Sequence, residues 1–323
     1  MTQRNILVVG TGAVGGLYAW RLSVAGARVT TVCRSNYGQV KQEGFLIKSE
    51  KWGDAQWTPD NVVKSVKELD TEPDLILVTL KALPDVYSIP TMIKPAVVEG
   101  KTRIVLAQNG LGVETPILKH FPKNPIISSV LYVAATQQNN GIVQTGTEKF
   151  KVGVCPQPEM DSALQKAALH ETVELLVAGG VDAQIEEDIQ AARWEKTIWN
   201  ASFSGVQLLA GGIDSKSVWS SPDLCRLVDR MVEDGVRASV VAGHPIPLKV
   251  MHRVKELARN IVKDDFKSSI VLDYERGKPL ETEVIFGEML RAAKQRDPEI
   301  QLPYLETFYT LTSSLQRKNR ESD

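Results

Sequence analysis

Cysteine is scarce in this chain: Cys33, Cys155 and Cys225 are far apart and in no metal-ligand spacing. An odd, scattered set of three excludes a disulfide framework, and no metal centre is expected. The thiols read as buried or surface groups in a reducing compartment. Net charge is nearly absent as well, 38 basic residues against 39 acidic leaving −1, so neither nucleic acid nor an anionic membrane surface is indicated as a partner. No run approaches the roughly 20 apolar residues of a membrane span. The first apolar run starts at Asn5, which leaves no room for a leader peptide. Internal repeats and low-complexity tracts are missing too. The expectation is a soluble, cytoplasmic protein.

What is present is ordinary in bulk and informative in order. Hydrophobic residues make up 43% and charged residues 24% of 323, and that length exceeds what one core usually serves, so two domains are expected. Asn5 to Val9 is a short apolar run that stops at Gly10. A helical pattern runs from Val14 to Ala25, Gly26 closes it, and Arg28 to Cys33 is a β-branched run. Strand, glycine turn, helix, strand is a βαβ unit and implies a parallel sheet. Leu75 to Leu80 and the run around Ile104 to Leu106 read as strands covered on both faces. Pro125 to Ala134 reads as another, and the glycine-punctuated 142–154 as a hairpin. A helix over about 160–178 and a short strand over 181–184 end this half. Beyond Asp188, segments 189–209, 223–242, 249–263, 280–294 and 303–317 carry helical spacing. Pro222, Pro245, Pro247, Pro279 and Pro303 fall between them. The expected architecture is α/β: an N-terminal dinucleotide-binding domain, 1–188, followed by an all-helical domain, 189–323.

Gly10-Thr11-Gly12-Ala13-Val14-Gly15 matches GxGxxG between a strand and a helix. There the first glycine allows the tight turn, the second lets backbone approach a pyrophosphate, and the third lets helix pack on strand. The phosphates would meet the helix N-terminus. At the end of the second strand stands Arg34, with no acid before Glu43. A guanidinium pairs with a 2′-phosphate where a carboxylate would repel it, so NADP(H) is the expected cofactor. Lys81 and Asn109 follow two further strands, where ligands of open α/β sheets lie. Lys81 would neutralise cofactor charge or cap the substrate side, and Asn109 would bond ribose or substrate. In RWEKTIWNASF, residues 193–203, Lys196 and Asn200 sit among large apolar groups, and a buried ammonium is expensive unless it is paired or used.

Together VVGTGAVGG, Cys33-Arg34, VTLKA (78–82), QNGLG (108–112), Lys196 to Asn200, and Ser268-Ser269 followed by Glu281 resemble the ketopantoate reductase (2-dehydropantoate 2-reductase) family. The resemblance spans nearly the whole chain. It implies a Rossmann-type domain joined to a helical domain that carries substrate-binding and catalytic residues. The implied activity is NADPH-dependent reduction of a 2-oxo acid, with ketopantoate, the precursor of pantoate in pantothenate biosynthesis, as the leading candidate. Gly10, Thr11, Gly12, Ala13, Val14, Gly15, Arg34, Lys81, Asn109 and Ala135 would contact NADP(H). Lys196 matches the catalytic lysine, which would stabilise charge on the carbonyl oxygen and deliver its proton. Asn200, Ser269, Glu281 and Asn109 would bind substrate, Glu281 by pairing with Lys196 or by accepting from a substrate hydroxyl.

Two departures stand out. Ser204-Gly205 replaces a family asparagine and proline, and Phe286-Gly287 replaces an Asn-Gly pair. Both changes are expected to reshape the substrate pocket. A reductase for a different 2-oxo acid, or a regulator that binds NADP(H) without turnover, are the competing readings. A monomer or homodimer is expected.

Overall fold

The computed structural model describes residues 3–138, 141–261 and 265–321. The chain divides into two compact units, Met1–Lys81, Ser88–Gln108 and Val113–Ile189 in the first, and Ala82–Tyr87, Asn109–Gly112 and Gln190–Asp323 in the second. Two short loops therefore leave the first unit to join the second.

The first unit is built on one sheet. Its strands are β1 (Asn5–Val9), β2 (Arg28–Val32), β3 (Phe45–Ser49), β4 (Ala55–Trp57), β5 (Asn61–Val63), β6 (Leu75–Val78), β7 (Arg103–Leu106), β8 (Ile126–Gln138), β9 (Gly141–Val154) and β10 (Ala183–Ile185). They lie in the order β4-β3-β9-β8-β7-β6-β1-β2-β5, with β10 against β9. From β8 to β5 every neighbour is parallel. The chain passes from β1 to β2 on one side and returns to β6 on the other, which makes a topological switch point beside β1. Residues of β6 and β7 are buried throughout, as parallel strands covered on both faces must be. On one face Ile6, Val8, Leu75, Leu77, Val105 and Ile127 pack with Tyr18, Leu22, Leu169 and Leu176, each large side chain contributing about 1.5–3 kcal/mol by burial.

Away from that centre the sheet differs from the expected parallel one. β8 and β9 are antiparallel, as are β3 and β4. The stretch 142–154 is one strand rather than a hairpin by itself. Gly146, φ +68, lies where the β8–β9 register slips between Val133 and Ala134, so it serves a bulge and not a turn. Residues 139–140, between the two strands, lie outside the described ones. The strands β3, β4 and β5 carry no continuous apolar run like those of β1, β6 and β7, and sequence reading passed over them.

The second unit is helical among its described residues. Its helices include Ile189–Trp199, Gly205–Leu209, Pro222–Val241, Leu248–Ile261, Ser269–Glu275, Glu288–Arg296 and Pro303–Glu321. Proline opens two of them, where its missing N–H costs nothing. Ser221 caps the first through its hydroxyl. The second is capped from a distance, Asp234 Oδ2 accepting from the backbone N–H groups of Tyr304 and Leu305 at 2.7 and 3.2 Å. Two stretches read as plain helix are interrupted: Asn200–Ser204 and Glu283–Gly287 are π-helical. Such local widenings of a helix gather at functional sites. No helix among the described residues is long and apolar enough to cross a membrane.

Candidate active site

In the first unit the glycine loop has the stereochemistry its pattern requires. Gly10 holds φ +105, and a Cβ there would lie 2.5 Å from the backbone nitrogen of Leu80. At Gly15 a Cβ would meet the carbonyl oxygen of Gly10 at 2.2 Å, so helix Ala13–Val24 approaches β1 only because that side chain is absent. Gly12 is exposed with nothing within 4 Å of where its Cβ would be. That leaves open space at the N-terminus of a helix whose first turn, begun by Ala13 and Val14, contains no acid. An anion fits such a place. Thr11 faces the protein instead, its hydroxyl donating to the Val32 carbonyl at 2.8 Å and lying 2.9 Å from the Cys33 thiol.

Arg34 is exposed just past β2. Two lysines that sequence reading passed over stand at Tyr37, three residues further on. Lys41 donates to the Tyr37 hydroxyl at 2.9 Å, and Lys64, the residue after β5, has its Nζ 4.8 Å from the Tyr37 ring centre. The Tyr37 backbone N–H in turn donates to the Arg34 carbonyl. Both ammonium groups thus lie at Tyr37, three residues past Arg34, with Glu68 bonded to the Lys64 backbone N–H. Only pairing of β2 with β5 reveals this, since Lys64 is 30 residues from Arg34 in the sequence. Lys81 follows β6 and is half-buried, its ammonium nitrogen covered. Gln108, after β7, donates to the Leu80 carbonyl at 2.7 Å and ties the two strand ends together. Ala135 lies on β8 just past the bulge, packed against the hydrophobic cluster that contains Leu17, Trp20 and Ile142.

In the second unit Lys196 stands at the centre of a polar cluster. Its Nζ donates to Asn109 Oδ1 at 2.9 Å. Arg193, 2% exposed, donates from Nη1 to the Gly110 carbonyl at 2.9 Å. The Leu111 N–H donates to the Val284 carbonyl at 2.8 Å. Gly110 holds φ +88, and a Cβ there would strike Val284 at 2.5 Å, so this approach needs glycine. Glu281, 7% exposed, accepts from the Ala82 backbone N–H at 2.9 Å. Loss of water around the Lys196 ammonium lowers its pKa to about 8. The Arg193 charge pushes the same way, and the Glu281 charge opposes it in part. An amine in that range can hold and release a proton near neutral pH.

The aromatic residues around the lysine are packing. Trp199 stacks on Phe203 with ring centres 5.0 Å apart, Phe203 stacks on Trp219 at 4.9 Å, and Ile198 fills the notch left by Gly235. Asn200, one turn past Lys196, opens the first π segment and is half-buried. The helix Ser269–Glu275 and the segment Glu283–Gly287 both pack against Asn200–Ser204. The elements bearing Asn200 and Ser269 therefore meet, and Glu281 stands two residues ahead of the second π segment, although Ser269 itself is exposed and its neighbour Ser268 is the buried one. Phe286 does not line an opening: it is fully buried, 3.2 Å from the vacant Cβ position of Gly205, with Phe308 at 2.8 Å from the same point. The Phe286 and Gly205 departures are one packing change, the aromatic ring filling what the glycine vacates.

Family models described as "Ketopantoate reductase PanE/ApbA" and its C-terminal counterpart match residues 6–157 and 188–316. A solved 2-dehydropantoate 2-reductase from Methylococcus capsulatus is 31% identical, covering 98% of this chain and 97% of that one with a TM-score of 0.83. A D-mandelate dehydrogenase solved with NADH and anilino(oxo)acetate has a TM-score of 0.85 over 98% and 99% of the two chains, but at 16% identity the likeness is one of fold alone. The "Meiotically up-regulated gene 72 protein" of Schizosaccharomyces pombe is 28% identical over 98% of this chain, which spans only 58% of that relative's length. With both halves matched in order, the chain belongs to the ketopantoate reductase family, a family of NAD(P)H-dependent oxidoreductases.

Proposed function

We propose that this chain reduces ketopantoate to pantoate with NADPH. The observation that carries the reading is Lys196, held on Asn109 beside Glu281 with its pKa drawn to about 8. A protein that only sensed the cofactor would have no use for a proton donor so tuned. The open Gly12 position and acid-free helix start suit a dinucleotide pyrophosphate, and Arg34 with Lys41 and Lys64 favours the 2′-phosphate of NADPH over NADH.

When bound, NADPH supplies the hydride that the ketone carbon accepts. As the carbonyl π electrons move onto oxygen, Lys196 Nζ passes its proton to that oxygen and is left a neutral amine, to be reprotonated from solvent. Asn109 orients the ammonium, and the Glu281 charge keeps it protonated at neutral pH. Asn200 and Ser269 are assigned to the substrate's polar groups. Because Phe286 is occupied in packing against Gly205 and Phe308, it gives no reason to move the substrate from ketopantoate towards a bulkier acid.

The test is NADPH consumption by the purified protein against a panel of 2-oxo acids, repeated with NADH. Ketopantoate should give the highest kcat/KM, and NADPH should exceed NADH. Lys196→Ala should lower kcat about 10²–10⁴-fold while leaving NADPH binding nearly intact. Preference for another 2-oxo acid would overturn the substrate, and undiminished turnover by Lys196→Ala would overturn the role of the lysine.

A further inference from the structure

We propose that Arg193 is a positioning residue for Lys196: its buried guanidinium pins the Asn109–Gly110 turn to the helix that carries the lysine, so that Asn109 is presented to the ammonium. This rests on Lys196 being the proton donor. Arg193 stands three residues before Lys196 on helix Ile189–Trp199, on the same face one turn earlier. It is among the largest fully buried side chains of the protein, and a buried guanidinium is costly unless its hydrogen bonds are made. One of these goes to the Gly110 carbonyl at 2.9 Å, the residue next to the Asn109 that accepts from Lys196.

The turn is held from two sides, by Arg193 at Gly110 and by the Val284 carbonyl at the Leu111 N–H. Removing the first leaves Asn109 free to swing about the second. The charged groups that act on Lys196 are Arg193 from its own helix and Glu281 from the segment ahead of Glu283–Gly287. Arg193 therefore also supplies the positive charge that helps to keep the ammonium acidic. Geometry and charge can be separated by substitution, because lysine keeps the charge and lacks the planar fork.

Arg193→Met and Arg193→Lys would be compared with wild type in two ways. The first is kcat against pH with NADPH and ketopantoate. The second, independent of turnover, is the pH dependence of Lys196 labelling by an amine-reactive reagent in the protein without cofactor, read by mass spectrometry. Arg193→Met should lower kcat about 10–100-fold and leave KM for NADPH nearly unchanged. Both the alkaline fall in kcat and the onset of labelling should move to higher pH. Arg193→Lys should keep both pH positions and recover only part of kcat. Wild-type kcat in Arg193→Met would overturn the proposal, as would a loss matching the unfolded fraction with labelling unmoved. Should Arg193→Met fail to fold, Arg193→Lys combined with Asn109→Ala decides: effects on kcat that do not add support the proposal, and additive ones overturn it. Labelling can succeed where turnover fails, so an error about the reaction is distinguishable from an error about Arg193.

Discussion

Lys196 works against the stability of the fold that holds it. Its charged form is disfavoured by lost hydration and by Arg193, so its pKa in the folded chain is about 8 against an ordinary 10.5. Below pH 8 the residue is protonated in both folded and unfolded chains, and the penalty is fully present. Between 8 and 10.5 the folded state gives up its proton first and the penalty fades. Replacing the ammonium by a neutral amide removes a cost on the order of a few kcal/mol, offset by about 1 kcal/mol if the bond to Asn109 weakens. Lys196→Gln should therefore melt roughly 2–5 °C higher than wild type at pH 7. The gain should shrink by pH 10, while turnover is lost. Melting curves at the two pH values check it, and an unchanged or lower Tm at pH 7 contradicts the sign.

At the scale of elements the two π segments are the distinctive feature. Each widens a helix by one residue, the two pack together, and Phe286 of the second reaches Gly205, the residue just after the first. The contact depends on the missing side chain, because a Cβ at Gly205 would lie 2.8 Å from Phe308 Cδ2 and 3.2 Å from Phe286 Cε1. Gly205→Ala should destabilise the protein by about 1–3 kcal/mol through overpacking. In a Phe308→Leu background the added methyl finds room, and the cost should fall. Chemical denaturation of the four proteins of this cycle measures the coupling. Equal costs in both backgrounds would mean that the Phe308 ring does not limit the space at this glycine.

Over the whole molecule, the chain does not pass once from a nucleotide-binding half to a helical half. Ala82–Tyr87 and Asn109–Gly112 belong to the second unit although sheet strands precede and follow them. The bonds from Ala82 to Glu281, Gly110 to Arg193 and Asn109 to Lys196 all lie inside that unit. A helical fragment starting at residue 190 would lack these partners and leave the buried Arg193 and Glu281 without the backbone groups they bind. Such a fragment expressed alone should be poorly folded by circular dichroism and hydrogen exchange, and co-expression with residues 1–189 should restore it. A stable, cooperatively melting isolated fragment would refute this.

The sequence by itself determined the parts decided by near neighbours in the chain. The continuous apolar strands, the glycine loop between strand and helix, the helical segments separated by prolines, and Lys196 with Asn200 on one face all follow from spacing within about 15 residues. Family resemblance then named most of the polar groups. Only the tertiary structure decided the mixed outer part of the sheet, the placement of Lys41 and Lys64 at Tyr37, the role of Gly146 as a bulge, and the packing of Phe286 into the space at Gly205. It alone drew Arg193 into the site, at a carbonyl 83 residues away, beside an asparagine 87 residues from its lysine and a glutamate that binds a backbone N–H 199 residues distant. The reason is physical: a buried charge or ring is stabilised by whatever surrounds it after folding, and no local pattern carries that information.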